Sequence, residues 1–172
     1  MGLAVLSCAA GLSGCIRISG TFPLSAGSGP ATPAPVAAAA QPITHGIVGE
    51  KLSAGAWTVT VEGAERTGKR VGGQKPAAGT EFLLVDVGFE NKGTDALGVR
   101  AEDFELADPT GAVVSTADIP KAAYNARSMR PLSPRFGTST VFVYQVPKGL
   151  VRYTFAFSPP GTGKTRFEWQ VP

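Results

Sequence analysis

From Ile43 onward the chain carries short runs in which every second residue is apolar, the period of a strand with one buried face. In the stretch AWTVTVEGA, Trp57, Val59 and Val61 share one side, and Thr58, Thr60 and Glu62 share the other. EFLLVDVGFEN places Leu83, Val85, Val87 and Phe89 together, while Phe82 and Leu84 add apolar surface opposite them, as a central strand would. STVFVYQVP sets Phe142, Tyr144 and Val146 against Val141 and Val143. LVRYTFAFS sets Tyr153, Phe155 and Phe157 against Thr154 and Ala156, and RFEWQV groups Phe167, Trp169 and Val171. Between the runs stand Asn91-Lys92-Gly93, Asp108-Pro109-Thr110-Gly111 and Pro147-Lys148-Gly149, residue types that make turns. Many short strands separated by turns predict an all-β sandwich. IPKAAYNAR is the one stretch with the spacing of a short helix.

The N-terminal third has another texture. MGLAVLSCAAGLSGC is an apolar, small-residue run too short to span a bilayer but of export-signal length. Its end, Leu12-Ser13-Gly14-Cys15, resembles the lipobox of bacterial lipoproteins, which implies cleavage before Cys15 and a lipid on its thiol. Residues 16–42 are rich in Ala, Pro, Gly and Ser, nearly free of charge and aromatics, and cannot offset the entropy of ordering. A tether of this length reaches on the order of 50 to 80 Å at about 3 Å per residue. The expected organisation is therefore an export signal over residues 1–14, a lipidated Cys15 with its tether over 15–42, and a sandwich over 43–172.

Composition narrows the chemistry. At 172 residues, 43% of them apolar, the chain suits one domain. A net charge of +3 with 17% charged residues lacks the dense cationic stripe of a nucleic-acid binder. Both cysteines, Cys8 and Cys15, precede the fold, and the single histidine, His45, stands near its expected edge, so Ser-His-Asp, Cys-His and multi-histidine metal sites are either impossible or poorly placed. No cofactor and no catalytic activity are expected.

The strands and turns together, IVGEKLSAGAWTVTVEGAE, KPAAGTEFLLVDVGFENKG, DFELADPTGAVV and VFVYQVPKG, resemble the telokin-like domain family of bacterial exported proteins and lipoproteins, domain of unknown function 4352. The resemblance runs from about Ile47 to Val171 and implies an immunoglobulin-like antiparallel sandwich in a lipid-anchored protein at the outer face of the membrane. It carries no catalytic motif.

Four constellations remain. SPPGTGKT, Ser158 to Thr165, is close to a phosphate-binding loop, but Ser158 replaces the leading glycine and RFEWQVP follows as a strand where such a loop needs a helix. Glu102, Asp103, Glu105, Asp108 and Asp118 are oxygen donors of the kind calcium takes, yet strand spacing and the DPTG turn account for them. The aromatics could line a small apolar ligand's pocket in a secreted carrier, but at strand spacing they read as core. Two basic groups suit loop binding on a rigid sandwich. One is Lys121, Arg127, Arg130 and Arg135; the other is Arg66, Lys69, Arg70 and Lys75, expected in a loop after the Trp57 strand. Partners for these loops would be anionic envelope polymers, lipid headgroups or an acidic protein.

Overall fold

A computed structural model describes residues 42–120, 124–125, 130–149, 152–163 and 165–172. Among these, the strands are β1 (Ile43–Gly46), β2 (Lys51–Ala54), β3 (Trp57–Thr67), β4 (Thr80–Asn91), β5 (Phe104–Ala107), β6 (Val113–Val114), β7 (Gly137–Pro147), β8 (Tyr153–Phe157) and β9 (Arg166–Val171). One turn of 3-10 helix covers Ala101–Asp103. The strands form two sheets, in the orders β1-β9-β8-β5-β6 and β2-β3-β4-β7. The fold is an immunoglobulin-like β-sandwich, antiparallel except where β1 runs parallel to β9 with Ile43 opposite Arg166.

The alternation does what it predicts. Central β4 pairs along its length with β3 and β7, so that Val85 lies between Ala64 and Phe142. Leu83, Val85, Val87 and Phe89 turn inward onto β5, β8 and β9, and all four are buried. Facing aromatics fill the space between the sheets. Trp57 meets Phe157 edge-on at 5.4 Å, Phe104 stacks on Phe157 at 4.5 Å, and Phe155 lies 6.2 Å from Trp169. Each ring removes a large apolar area from water, the main favourable contribution to such a fold.

Two departures matter for the surface. A bulge in β3 between Val61 and Gly63 inserts one residue, which reverses the alternation beyond it. Arg66 therefore lies inside strand β3 rather than in a loop. Its guanidinium sits 5.4 Å over the Tyr153 ring and donates to Glu81 at 2.9 Å. The second departure concerns IPKAAYNAR. Its residues 121–123 and 126–127 lie outside the described residues, but Tyr124 bridges to Val141 and Asn125 has φ 55, a left-handed conformation that no helix interior adopts.

Ile119 and Tyr124 cover part of the outer face of the four-stranded sheet. Phe82 and Val143 point outward and form a second apolar cluster with Val71 and Ile119, bordered by Leu84, Ala117, Tyr124 and Val141. Asn125 is its polar staple. The side chain accepts from Val143 N–H at 2.8 Å and donates to the Ala117 carbonyl at 2.8 Å. Asn125 N–H donates to the Val141 carbonyl at 2.9 Å, and Ala117 N–H to that of Val143 at 2.7 Å. The open edge of β7 is thus paired by a loop, which removes a template for strand-to-strand aggregation.

Candidate functional surface

Two contacts orient the sandwich. Trp57 and Phe157 meet near one end, Arg66 and Tyr153 near the other. The first, upper end gathers the turn at Gly55, residues 92–103, residues 130–136 and the β8–β9 loop; the lower end gathers the β3–β4 and β7–β8 loops and the turn at Asp108.

The SPPGTGKT stretch is the β8–β9 loop of the upper end, joining two antiparallel strands. Ser158 N–H donates to the Asp103 carbonyl at 2.9 Å, and Trp57 Nε1 donates to the Pro160 carbonyl at 3.2 Å. Thr162 Oγ1 donates to the Pro159 carbonyl at 2.8 Å. Gly161 and Gly163 have φ of 77° and 75°, values that favour glycine and close the reversal. Strand β9 follows, so the helix N-terminus that would receive a phosphate is replaced by sheet. The loop's polar groups serve to hold it on Trp57 and the 3-10 turn. Lys164 lies outside the described residues.

Of the first basic group, Lys121 and Arg127 lie outside the described residues. Arg130 and Arg135 are exposed at the upper end. Arg135 has φ 63, and its N–H donates to the Asn91 carbonyl at 2.9 Å. Beside it a shallow groove of about 540 Å³ is lined by Glu90, Asn91, Lys92, Arg135, Phe136 and Gly137. Phe136 is 67% exposed there. An adjoining groove of about 340 Å³ continues over Lys51, Thr60, Glu62, Gly88 and Ser139, the polar part of the outer face. Glu90 organises it. Hydrogen bonds from Lys51 Nζ at 2.6 Å and from Lys92 lower its pKa from 4.5 to about 2.

The carboxylates weighed for calcium are engaged elsewhere. Asp103 accepts from Arg100 N–H at 3.0 Å and from its guanidinium at 3.1 Å. Glu105 accepts from Arg166 at 3.1 Å. Asp108 Oδ1 accepts from the Thr110 hydroxyl at 2.6 Å and from Ala112 N–H at 3.0 Å, contacts that hold its carboxyl below the usual range. Among the described residues no three His, Cys, Asp or Glu side chains gather as metal ligands. His45 lies 3.6 Å from Glu168 on the exposed β1.

The aromatics suggested as a pocket, Trp57, Phe82, Phe89, Phe142, Tyr144, Phe155, Phe157, Phe167 and Trp169, are all buried. Phe82 belongs to the outer cluster and the others pack into the main core, together with Phe104, whose ring lies 4.3 Å from that of Phe142.

Sequence reasoning missed the two buried asparagines. Asn91 looks like an ordinary turn residue, yet its amide donates to the Asp95 and Leu132 carbonyls at 2.7 and 2.9 Å and accepts from Gly93 N–H at 2.8 Å. It fixes the strand end that carries Lys92 to the segment that carries Arg135. A polar residue closing an apolar strand was the only available signal.

Comparison with known proteins follows the fold. The family described as Domain of unknown function (DUF4352) matches residues 46–166. Among solved structures, the candidate lipoprotein ycdA of Bacillus subtilis superposes with a TM-score of 0.56 at 18% identity over 70% of this chain; the match spans only 38% of that protein. The yjhA protein of Bacillus subtilis gives 0.58 at 22% identity, covering 73% of this chain and 98% of its own. An uncharacterised β-sandwich protein of Clostridium difficile 630 gives 0.53 at 13% identity, covering 77% and 96%. No curated protein matches. At these identities the superpositions establish the fold alone.

Proposed function

The chain belongs to the DUF4352 family, and from that premise we propose that it is an exported, lipid-anchored envelope protein whose sandwich acts by binding, as an adaptor, without catalysing a reaction. The observation that carries this reading is Leu12-Ser13-Gly14-Cys15 at the end of an apolar run of signal length, with an Ala/Pro-rich stretch before the first strand. The description of ycdA as a candidate lipoprotein agrees with it. Among the described residues no helix is long and apolar enough to cross a membrane; in this reading the attachment is a lipid on Cys15. Two or more acyl chains hold a protein stably where one does not. Cys15 lies outside the described residues.

The full chain produced in a bacterial host tests this by mass spectrometry of its N-terminal peptide. The expected peptide begins at Cys15 and carries the mass of at least two acyl chains. Cys15→Ser should move the protein from the detergent phase to the aqueous phase. An unmodified peptide that retains Met1, or a wild type that partitions like Cys15→Ser, would overturn the anchor.

A further inference from the structure

The lower end of the sandwich gathers five exposed cations on two joined loops. Lys69, Arg70 and Lys75 stand on the β3–β4 loop, and Lys148 and Arg152 on either side of the β7–β8 connection; all five are exposed. The two loops are joined, because Lys148 N–H donates to the Gly79 carbonyl at 3.1 Å. Ala77 N–H also donates to Gln145 Oε1 at 3.4 Å. The first loop is built to hold its charges apart. A two-residue reversal at Gly72 and Gly73, with φ of 57° and 90°, is closed by Val71 pairing with Gln74. Arg70 Nη1 donates to the Gly73 carbonyl at 3.0 Å, which fixes the guanidinium and leaves its remaining N–H groups free.

None of these five cations has a carboxylate partner among the described residues. Of the carboxylates near this end, Glu81 is paired with Arg66, Asp108 is held by its own turn and Asp118 has a partner of its own, while Glu65 stands exposed on β3. Elsewhere most described cations are neutralised, Arg130 and Arg135 at the upper end being exceptions. Lys51 and Lys92 share Glu90, Arg100 meets Glu102 and Asp103, and Arg166 meets Glu105 and Glu168.

We propose that this lower end binds an anionic polymer bearing phosphate or carboxylate groups at intervals along its chain. Charge complementarity is the warrant: five cations spread over two joined loops match repeated charges better than one small anion. Among the described residues the exposed large apolar side chains are Ile43, Ile47, Val48, Val113 and Phe136, and none stands on either loop; Leu150 and Val151 of the β7–β8 connection lie outside the described residues, so a vesicle arm is what separates polymer from bilayer. The chain also enters the fold at the upper end, where the Pro42 carbonyl accepts from Arg166 N–H at 3.1 Å, so the lower end lies opposite the point of entry. The proposal rests on the binding-module reading above, but not on the lipid.

The test uses the full chain with two immobilised probes, long-chain polyphosphate and poly-glutamate, and a third arm of phosphatidylglycerol vesicles. Cys15→Ser is used throughout, so that acylation plays no part. Binding to a polymer should be measurable at about 50 mM salt and weaken roughly tenfold or more by about 200 mM, as counterion release requires. The combined substitution Lys69→Gln, Arg70→Gln, Lys75→Gln, Lys148→Gln and Arg152→Gln should weaken it at least tenfold with an unchanged melting temperature. Arg130→Gln with Arg135→Gln, at the upper end, should leave it within about twofold. Absent binding, an unaffected five-site variant, a loss at the upper-end pair, or equal retention on vesicles would each overturn the proposal. The anchor would stand or fall separately on the mass of the Cys15 peptide.

Discussion

The two faces of the four-stranded sheet bury their apolar residues by different means. On the inner face, Leu83, Val85, Val87 and Phe89 meet a second sheet whose Phe155, Phe157, Phe167 and Trp169 come from the same kind of alternation. On the outer face, Phe82 and Val143 meet Val71 and Ile119, which belong to loops. A sheet against a sheet is a rigid, repetitive solution. A loop against a sheet must bring its own backbone partners, and Asn125 supplies them. Where the outer face is polar, at Thr60, Glu62, Glu90 and Ser139, no cover is needed and a groove stays open. The contrast shows that an outward apolar pair on a sandwich strand is a demand for a covering loop, met at a site that periodicity does not mark.

The strongest way to break this contrast is to empty each face in turn. Phe155→Ala, between the sheets, should cost about 3–5 kcal/mol, because neighbours on two sheets relax little into the cavity. Phe82→Ala should cost about 2 kcal/mol, since a loop can settle into the space. Denaturant unfolding of both variants measures the difference, and equal losses would mean that the outer cluster is as rigid as the core.

Next comes the staple. Asn125→Ala leaves the Val143 N–H without its partner and takes one of two donors from the Ala117 carbonyl, which keeps Ile119 N–H, and should cost about 1–3 kcal/mol. Asn125→Gly keeps the φ of 55 accessible while removing the same bonds. Comparable destabilisation in both variants, with faster amide exchange at Val143, assigns the effect to hydrogen bonding. Recovery in the glycine variant would assign it to backbone conformation.

The smallest effect belongs to the open, polar half. Glu90 titrates near 2 in the fold and near 4.5 when free of its lysines. A lowered folded pKa stabilises above the unfolded value, and that contribution is lost as pH falls from about 4.5 toward 2. Glu90→Gln should therefore melt slightly below wild type at neutral pH, with the gap closing across that window. An exposed pair of this kind is screened, so the gap should also shrink with salt. A gap independent of pH would point to packing in place of charge.

The core strands were readable from residue type because burial of one face imposes a period of two, and Trp57 to Val61, Leu83 to Phe89 and Phe167 to Val171 keep it without interruption. Arg66 was misread for the same reason. The bulge at Gly63 shifts the period by one, so a residue counted beyond the strand lies within it, over Tyr153. The basic surface was readable only in part. Lys69, Arg70 and Lys75 form a visible run, while Lys148 and Arg152, about 75 residues farther along the chain, join it only through the meeting of two loops. Arg130 and Arg135, grouped with Lys121 and Arg127 in sequence, stand at the other end.

Residue order alone set the strands β3, β4, β7, β8 and β9, their buried faces, the turns between most of them and the marked change in composition before Ile43, since each of these depends on neighbours within a few positions; the short β1, β2 and β6 carry too few residues to show a period. The association of strands decided the rest: which loop covers Phe82, which asparagine closes the edge of β7, that SPPGTGKT ends as a hairpin loop pinned to Trp57, and which cations share one end. Those outcomes depend on hydrogen bonds and contacts between segments distant in the chain, and a local pattern holds no record of a distance that folding alone creates.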